Sequence, residues 1–401
     1  MFTEITKSKF SNSKNLSGNP VKVLFSFLNT PVSIAPLVVF RIAFGTLMFL
    51  STIRFIVKGW VYELYIKPVY YFSYYGFEWV KPLGNPGMYF LFAVIALSAL
   101  GIALGFFYRI SAILFFLSFT YVELIDKTNY LNHYYFVSLI AFLLVFVPAN
   151  KYFSSDVFLG RIKKEDVIPA WTVFIIKLQL AIVYFFAGVA KLNYDWLIEA
   201  QPLKTWLPAK SYFFLVGPLL TYEWIAYLFS WFGMLFDLTI PFWLSWKKSR
   251  PFAYFFVLVF HIATWLLFPI GMFPFIMICS TIIFFDPAFH KKVITTLQSI
   301  LNLKFKILNW ITRTSLKSQT PIANRQLPTA NSKTSLLTSQ FTKFILIIFF
   351  AIQLFLPFRY LFYPGKLFWT EEGFRFSWRV MLIEKMGMAV FTVKDRQSDK
   401  A

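Results

Sequence analysis

Residues 182–190 read IVYFFAGVA, and comparably apolar runs recur along the chain. A run of about 20 such residues can satisfy its backbone polar groups in lipid only by forming a helix. This feature limits the chain to an all-α, polytopic integral membrane helical bundle. About nine transmembrane helices are expected, at 33–53, 88–107, 110–125, 134–149, 169–191, 222–246, 251–268, 270–285 and 343–363. The fourth, seventh and eighth are short, and Gly271, Met272 and the prolines of 269–274 make spans seven and eight a tight hairpin. Composition agrees: 58% of residues are hydrophobic and 14% charged, against about 45–50% and about 25% in soluble domains.

The charge balance sets orientation. Lys and Arg number 39 against 18 Asp and Glu, a formal charge of +21. In a soluble protein this excess would point first to nucleic acid, but no nucleic-acid-binding motif is present and none is expected as a partner. The basic residues collect in alternate connections instead: Lys7, Lys9, Lys14 and Lys22 before the first span, Arg109 between spans two and three, Lys151, Arg161, Lys163 and Lys164 after the fourth, and Lys247, Lys248 and Arg250 after the sixth. The long link 286–342 adds eight more, from Lys291 to Lys333. By the positive-inside rule these loops are cytoplasmic. The exception, 54–87, carries Arg54, Lys58, Lys67 and Lys81 in a Tyr- and Trp-rich segment suited to the membrane interface. The expected topology is multi-pass, with the N-terminus cytoplasmic and the C-terminus and active-site mouth extracytoplasmic.

The chain therefore divides into a cytoplasmic tail and amphipathic segment (1–32), a transmembrane bundle (33–285), a cytoplasmic basic link with a disordered Ser/Thr/Asn-rich middle (286–342), a last span (343–363) and the start of an extracytoplasmic region (364–401). MAVFTVKD in that region reads as the start of a small β segment. The polar N-terminal tail has no apolar core and is not a cleavable signal peptide. The single cysteine, Cys279, cannot form an intrachain disulfide.

With this topology, span four begins and span five ends on the outer face, so His133 and Lys191 share it. The approach to span four, DKTNYLNHYYF (126–136), concentrates Asp126, Lys127, Thr128, Asn129, Asn132 and His133 between apolar runs. On span five, Lys177, Tyr184 and Lys191 recur every seven residues and lie near one helical face. Gly188, one turn before Lys191, leaves room for a neighbouring helix or a flat ligand. Lys191 is either an anchor snorkelling to the headgroups or an ionisable group placed for chemistry; His133 is either an interfacial hydrogen-bonding residue or a catalyst. Lys177 and Arg41 read as structural, with Asp237 a partner for either. His261 reads as a satisfied core histidine, and His290 as solvated in the basic link. Burial can lower a lysine pKa far enough for a general base near neutral pH. GxSxG, HExxH, CxxC and GxxxxGK patterns are absent from the sequence.

The segments DKTNYLNHYYF, VPANKYFSSD (147–156), KLQLAIVYFFAGVAKLNYDW (177–196), FHIATWLLFPIGMFPF (260–275), IQLFLPFRYLFYPG (352–365) and WTEEGFRFSWRVML (369–382) resemble, in order, the vitamin K-dependent γ-glutamyl carboxylase family. That family is similar in turn to the broader horizontally transferred transmembrane domain (HTTM) proteins. The resemblance implies a lyase that couples oxidation of vitamin K hydroquinone (or menaquinol) by oxygen, an epoxidase activity, to γ-carboxylation of glutamate with carbon dioxide. It implies membrane lipids and a glutamate-containing peptide or protein as partners. The family's catalytic lysine falls on Lys191, and its histidine on His133, with Asn132 beside it. Tyr184, Gly188, His261, Trp378 and Met381 are the expected cofactor-binding residues, with no metal. Two departures are visible: Ala190 stands where the family often has a second lysine, and most of the family's large extracytoplasmic domain is missing before the chain ends at Ala401. A microbial-type homologue or truncated form is expected, epoxidising more readily than it carboxylates. The alternative is a non-catalytic protein that holds or transports a quinone or lipid.

Overall fold

The computed structural model of the protein describes residues 20–312, 340–380 and 382. The helices follow the apolar runs. The first group comprises α1 (Pro20–Leu28), α2 (Ala35–Val57), α3 (Trp60–Tyr65), α4 (Gly84–Leu104), α5 (Tyr108–Ile125) and α6 (Asn132–Phe146). The second comprises α7 (Trp171–Ala190), α8 (Glu223–Ser245), α9 (Arg250–Leu267), α10 (Phe273–Thr281), α11 (Pro287–Thr312) and α12 (Gln340–Phe355). Among the described residues the one sheet is a short antiparallel pair, β1 (Pro31–Ser33) on β2 (Val167–Pro169), with Val32 opposite Ile168. The expected C-terminal strand lies outside the described residues.

Among the described residues seven helices are long and apolar enough to cross a membrane, or up to eight if the bent pair of α10 and α11 is one span, rather than the nine expected. The fourth expected span is the 15-residue α6. It stops because Val147 is extended ahead of Pro148, a position where proline disfavours helix in its predecessor. The eighth is the nine-residue α10, which passes into a 3-10 turn, Ile282–Phe284, ahead of Pro287. The first part of the basic link is helical, and α11 turns by 114° away from the α10 segment. The Ser/Thr/Asn-rich middle of the link lies outside the described residues.

Two packed groups make the bundle. In one, α4 lies between α2 and α5, and α5 packs on α6; in the other, α8 packs on α7 and α9, and α9 on α10. The groups join where α7 meets α6 and where α10 and α11 meet α2. Gly45 lets α2 and α4 approach closely: a Cβ there would lie 2.4 Å from the Ala103 backbone nitrogen. Leu97, Leu117, Phe242, Phe252 and Phe344 are exposed on the outside, as a surface solvated by lipid chains requires.

One end of the bundle is tied by buried polar groups. Asp156 accepts from the Phe107 and Tyr108 amides at 2.9 and 3.1 Å, satisfying the start of α5, and from Asn150 Nδ2 at 2.8 Å. Burial alone would raise its carboxyl pKa, but these bonds and Arg161 hold it below the ordinary carboxylate range. Arg41 Nη2 donates to the Phe153 carbonyl at 2.7 Å, and Arg250 Nη1 to Asp286 at 2.8 Å. His290 is fully buried rather than solvated, its ring nitrogens 3.0 and 3.1 Å from the Asp286 and Ile282 carbonyls. The first turn of α11 folds back onto the bundle and takes His290 with it, despite the basic residues around it.

Candidate functional site

At the other end, α7 terminates at Ala190, and Lys191 caps it with near-helical backbone. Its side chain does not reach outward. The Nζ donates to Asp237 Oδ2 on α8 at 2.7 Å and to the Ala187 carbonyl at 3.2 Å, and both partners of the ion pair are buried. Asp237 therefore pairs with Lys191, not with Lys177 or Arg41: α7 lies directly on α8, and the pair closes across that interface. Lys177 instead sits 5.5 Å over the Phe284 ring.

The residues after Lys191 build its surroundings. Asn193 Oδ1 accepts from the Trp196 amide at 2.9 Å, capping the short helix Tyr194–Leu197. This places the Trp196 ring 5.5 Å from Lys191 Nζ, with Trp196 Nε1 donating to the Ser230 carbonyl at 2.9 Å. Asp195 is exposed. Gly188 admits α8: a Cβ there would lie 2.7 Å from Leu238 Cγ. Of its two expected roles it serves the neighbouring helix, and it is not on the cavity wall.

Lys191 and Asp237 lie on the wall of a mostly apolar cavity that also bears Asn132, Tyr184, His261 and Trp378. The cavity offers about 90 Å³ to the centres of water-sized spheres, several times the ~10–15 Å³ that one water needs. Asn132 and Lys191 thus share one cavity, although the expected pairing on a common face was of His133 with Lys191. His133 does not line it: the ring lies 6.1 Å from that of Phe273, which does, and makes no hydrogen bond among the described residues. Tyr184 Oη is 2.9 Å from His261 Nε2, while His261 Nδ1 and Trp378 Nε1 are sealed from solvent without a partner. Met381 lies outside the described residues.

Asn132 is held on two sides. Its Nδ2 donates to the Arg379 carbonyl at 2.9 Å, and its Oδ1 accepts from the Tyr130 hydroxyl at 3.0 Å. Tyr130 Oη also accepts from the Phe376 amide at 2.9 Å. Burial pushes the Tyr130 phenol well above its ordinary range, so it remains a donor. Asp126 accepts from the Thr128 amide and hydroxyl at 2.9 and 2.8 Å and so folds the turn leading to Asn132. The 371–380 segment crosses over this loop, with Trp378 stacked on Tyr135 at 5.0 Å. Its backbone has positive φ at Phe376 and Trp378, a conformation that aromatic residues seldom adopt and that the Tyr130 and Asn132 bonds help hold.

Asp237 is the residue that sequence reasoning left with the wrong partner. An acid within an apolar span signals a buried cation nearby, but the two cations considered, Lys177 and Arg41, did not include Lys191. The unpartnered His261 Nδ1 and Trp378 Nε1 give an apolar slot two free polar atoms, which fits a flat ring carrying oxygen substituents. A family model described as the HTTM domain matches residues 29–289, and one described as vitamin K-dependent gamma-carboxylase, lumenal domain, matches residues 338–401. No solved structure matches the chain.

Proposed function

Since the chain belongs to the vitamin K-dependent gamma-carboxylase family, with the HTTM domain over more than half its length, we propose that it is a membrane enzyme that oxidises vitamin K hydroquinone, or menaquinol, in the Lys191 cavity and couples this to γ-carboxylation of glutamate. The observation that carries the reading is the buried Lys191–Asp237 pair on the wall of an apolar cavity. When bound, the hydroquinone supplies, through its oxidation by oxygen to the epoxide, the driving force for removing a glutamate γ-proton so that carbon dioxide can add.

The protein's own part is binding, orientation and proton handling. The Lys191–Asp237 pair shares one proton across a 2.7 Å contact. With that proton on Asp237, the Lys191 amine is free to take another from a hydroxyl in the cavity. With it on Lys191, the charges stabilise each other in surroundings where either alone would be costly. Asn132, held by Tyr130 and Arg379, retains one N–H for an oxygen in the cavity. His261 and Trp378 offer their unpartnered nitrogens to the ring's oxygens. His133 acts from behind Phe273, by packing. The bundle 33–285 carries this chemistry, 286–342 is a cytoplasmic link, 343–363 is the last span, and 364–401 begins the extracytoplasmic region that meets the glutamyl substrate. The N-terminus is cytoplasmic and the cavity mouth extracytoplasmic.

The test is purified protein with vitamin K hydroquinone, oxygen and bicarbonate, scoring epoxide and carboxyglutamate separately. Lys191→Ala should stop epoxide formation, and a small primary amine in the buffer should partly restore it. Full turnover in the folded variant would remove Lys191 from the chemistry. A second reading, a non-catalytic quinone or lipid holder, is favoured by Lys191 already being engaged by Asp237. Saturable quinone binding without epoxide would select it. For orientation, Thr320→Cys in a Cys279→Ser background should label from the cytoplasmic side only.

A further inference from the structure

The first helical group contains a second cavity, bounded by α2 to α6 and the loop into α6, that shares no wall residue with the Lys191 cavity. It offers about 50 Å³ to the centres of water-sized spheres. Half of its wall residues are aromatic, and Ser51, Thr52 and Asn129 add neutral polar groups. Phe55, Tyr65 and Phe92 touch one another with centroids 5.1–6.3 Å apart, and Phe119 meets Tyr134 edge-on at 5.9 Å. Into this ring-lined space α5 brings one carboxylate, Glu123. Its Oε2 accepts from Ser138 Oγ at 2.7 Å, but its Oε1 is sealed from solvent with no partner. No cation pairs with it among the described residues. Arg54, on α2, stacks instead 5.1 Å over Trp60.

We propose that this cavity is a binding site for an organic ammonium group, a primary or methylated amine, held by the aromatic walls and neutralised by Glu123. A buried carboxylate with a free oxygen calls for a positive partner, and aromatic faces around a small space favour a soft cation over a hydrated metal ion. An uncharged apolar occupant would fill the volume and leave Glu123 as it stands. Nothing in the proposal depends on the Lys191 cavity. The ammonium can belong to a free amine or to a lipid headgroup.

The full chain is placed in nanodiscs of phosphatidylglycerol, which has no ammonium, and titrated by saturation-transfer NMR with choline and with dimethylbutanol, its uncharged carbon isostere. Choline should bind at least about tenfold more tightly than the isostere, and Glu123→Gln should abolish that preference. Tyr65→Leu, which keeps the carboxylate and removes one ring face, should weaken choline severalfold and serves if the Gln variant does not fold. In phosphatidylcholine discs, a fall in apparent choline affinity assigns the occupant to the lipid headgroup, and an unchanged affinity to a free amine. Equal binding of the isostere, no choline binding in phosphatidylglycerol discs, or choline binding indifferent to the folded variants overturns the proposal.

Discussion

Asp237 on α8 and Glu123 on α5 are both carboxylates set into apolar helices, one in each half of the bundle. Asp237 meets an ammonium at 2.7 Å; Glu123 meets only the Ser138 hydroxyl, also at 2.7 Å. Asp237 is internally compensated and belongs to a fixed dyad. Glu123 keeps one oxygen in reserve. The difference separates a group whose partner is built into the fold from one whose partner must arrive. A third carboxylate, Asp156, marks the other limit: it is satisfied by two backbone amides and two side chains.

The largest effect should come from breaking the compensated pair. Lys191→Ala strands Asp237 in the bundle and should cost about 3–5 kcal/mol, read as a fall in thermal unfolding temperature. Adding Asp237→Asn should recover most of that stability while leaving epoxide formation absent. Recovery of activity along with stability would make the pair purely structural.

Tyr130 borders the Glu123 cavity and also holds Asn132 of the Lys191 cavity, so it links the two halves. Tyr130→Phe removes the donor to Asn132 and the acceptor for Phe376 and should cost about 1–3 kcal/mol. Limited proteolysis within 371–380 should accelerate. Unchanged cleavage would mean that the aromatic stacking alone holds this segment.

The Asp156 comparison is sharpened by pH. Its folded pKa lies below the unfolded value, so it contributes stability above the ordinary carboxylate range of ~4. That contribution is lost as pH falls through the folded value. Unfolding scans from neutral to acid pH should show this loss, and Asp156→Asn should flatten it.

The smallest effect is expected at Glu123. Glu123→Gln can keep the Ser138 hydrogen bond and should shift stability by less than about 1 kcal/mol. A loss as large as that of Lys191→Ala would erase the distinction between the two carboxylates.

Where the helices run was legible, because apolarity over about 20 residues is a local property that lipid turns directly into helix. Counting spans put His133 and Lys191 on one membrane face, but it is Asn132, the neighbour of His133, that shares the cavity with Lys191. Span length was less legible at α6 and α10, where apolar residues continue past the helix into turns before Pro148 and Pro287. Family membership was readable from motifs in order along the chain.

What the tertiary structure alone decided is which neighbour each helical face meets. Helical periodicity puts Lys177, Tyr184 and Lys191 near one stripe, but says nothing of the register at which α8 packs on it. That register gives Asp237 to Lys191 and lays Leu238 on Gly188. Packing likewise turns His133 toward Phe273 while Asn132 faces the cavity, and draws His290 out of solvent. It also gathers the rings of α2, α3, α4 and α6 around Glu123. Hydrophobicity is summed along a chain, whereas the energy of a buried charge depends on the few ångströms to its nearest partner, and that distance exists only once the helices have packed.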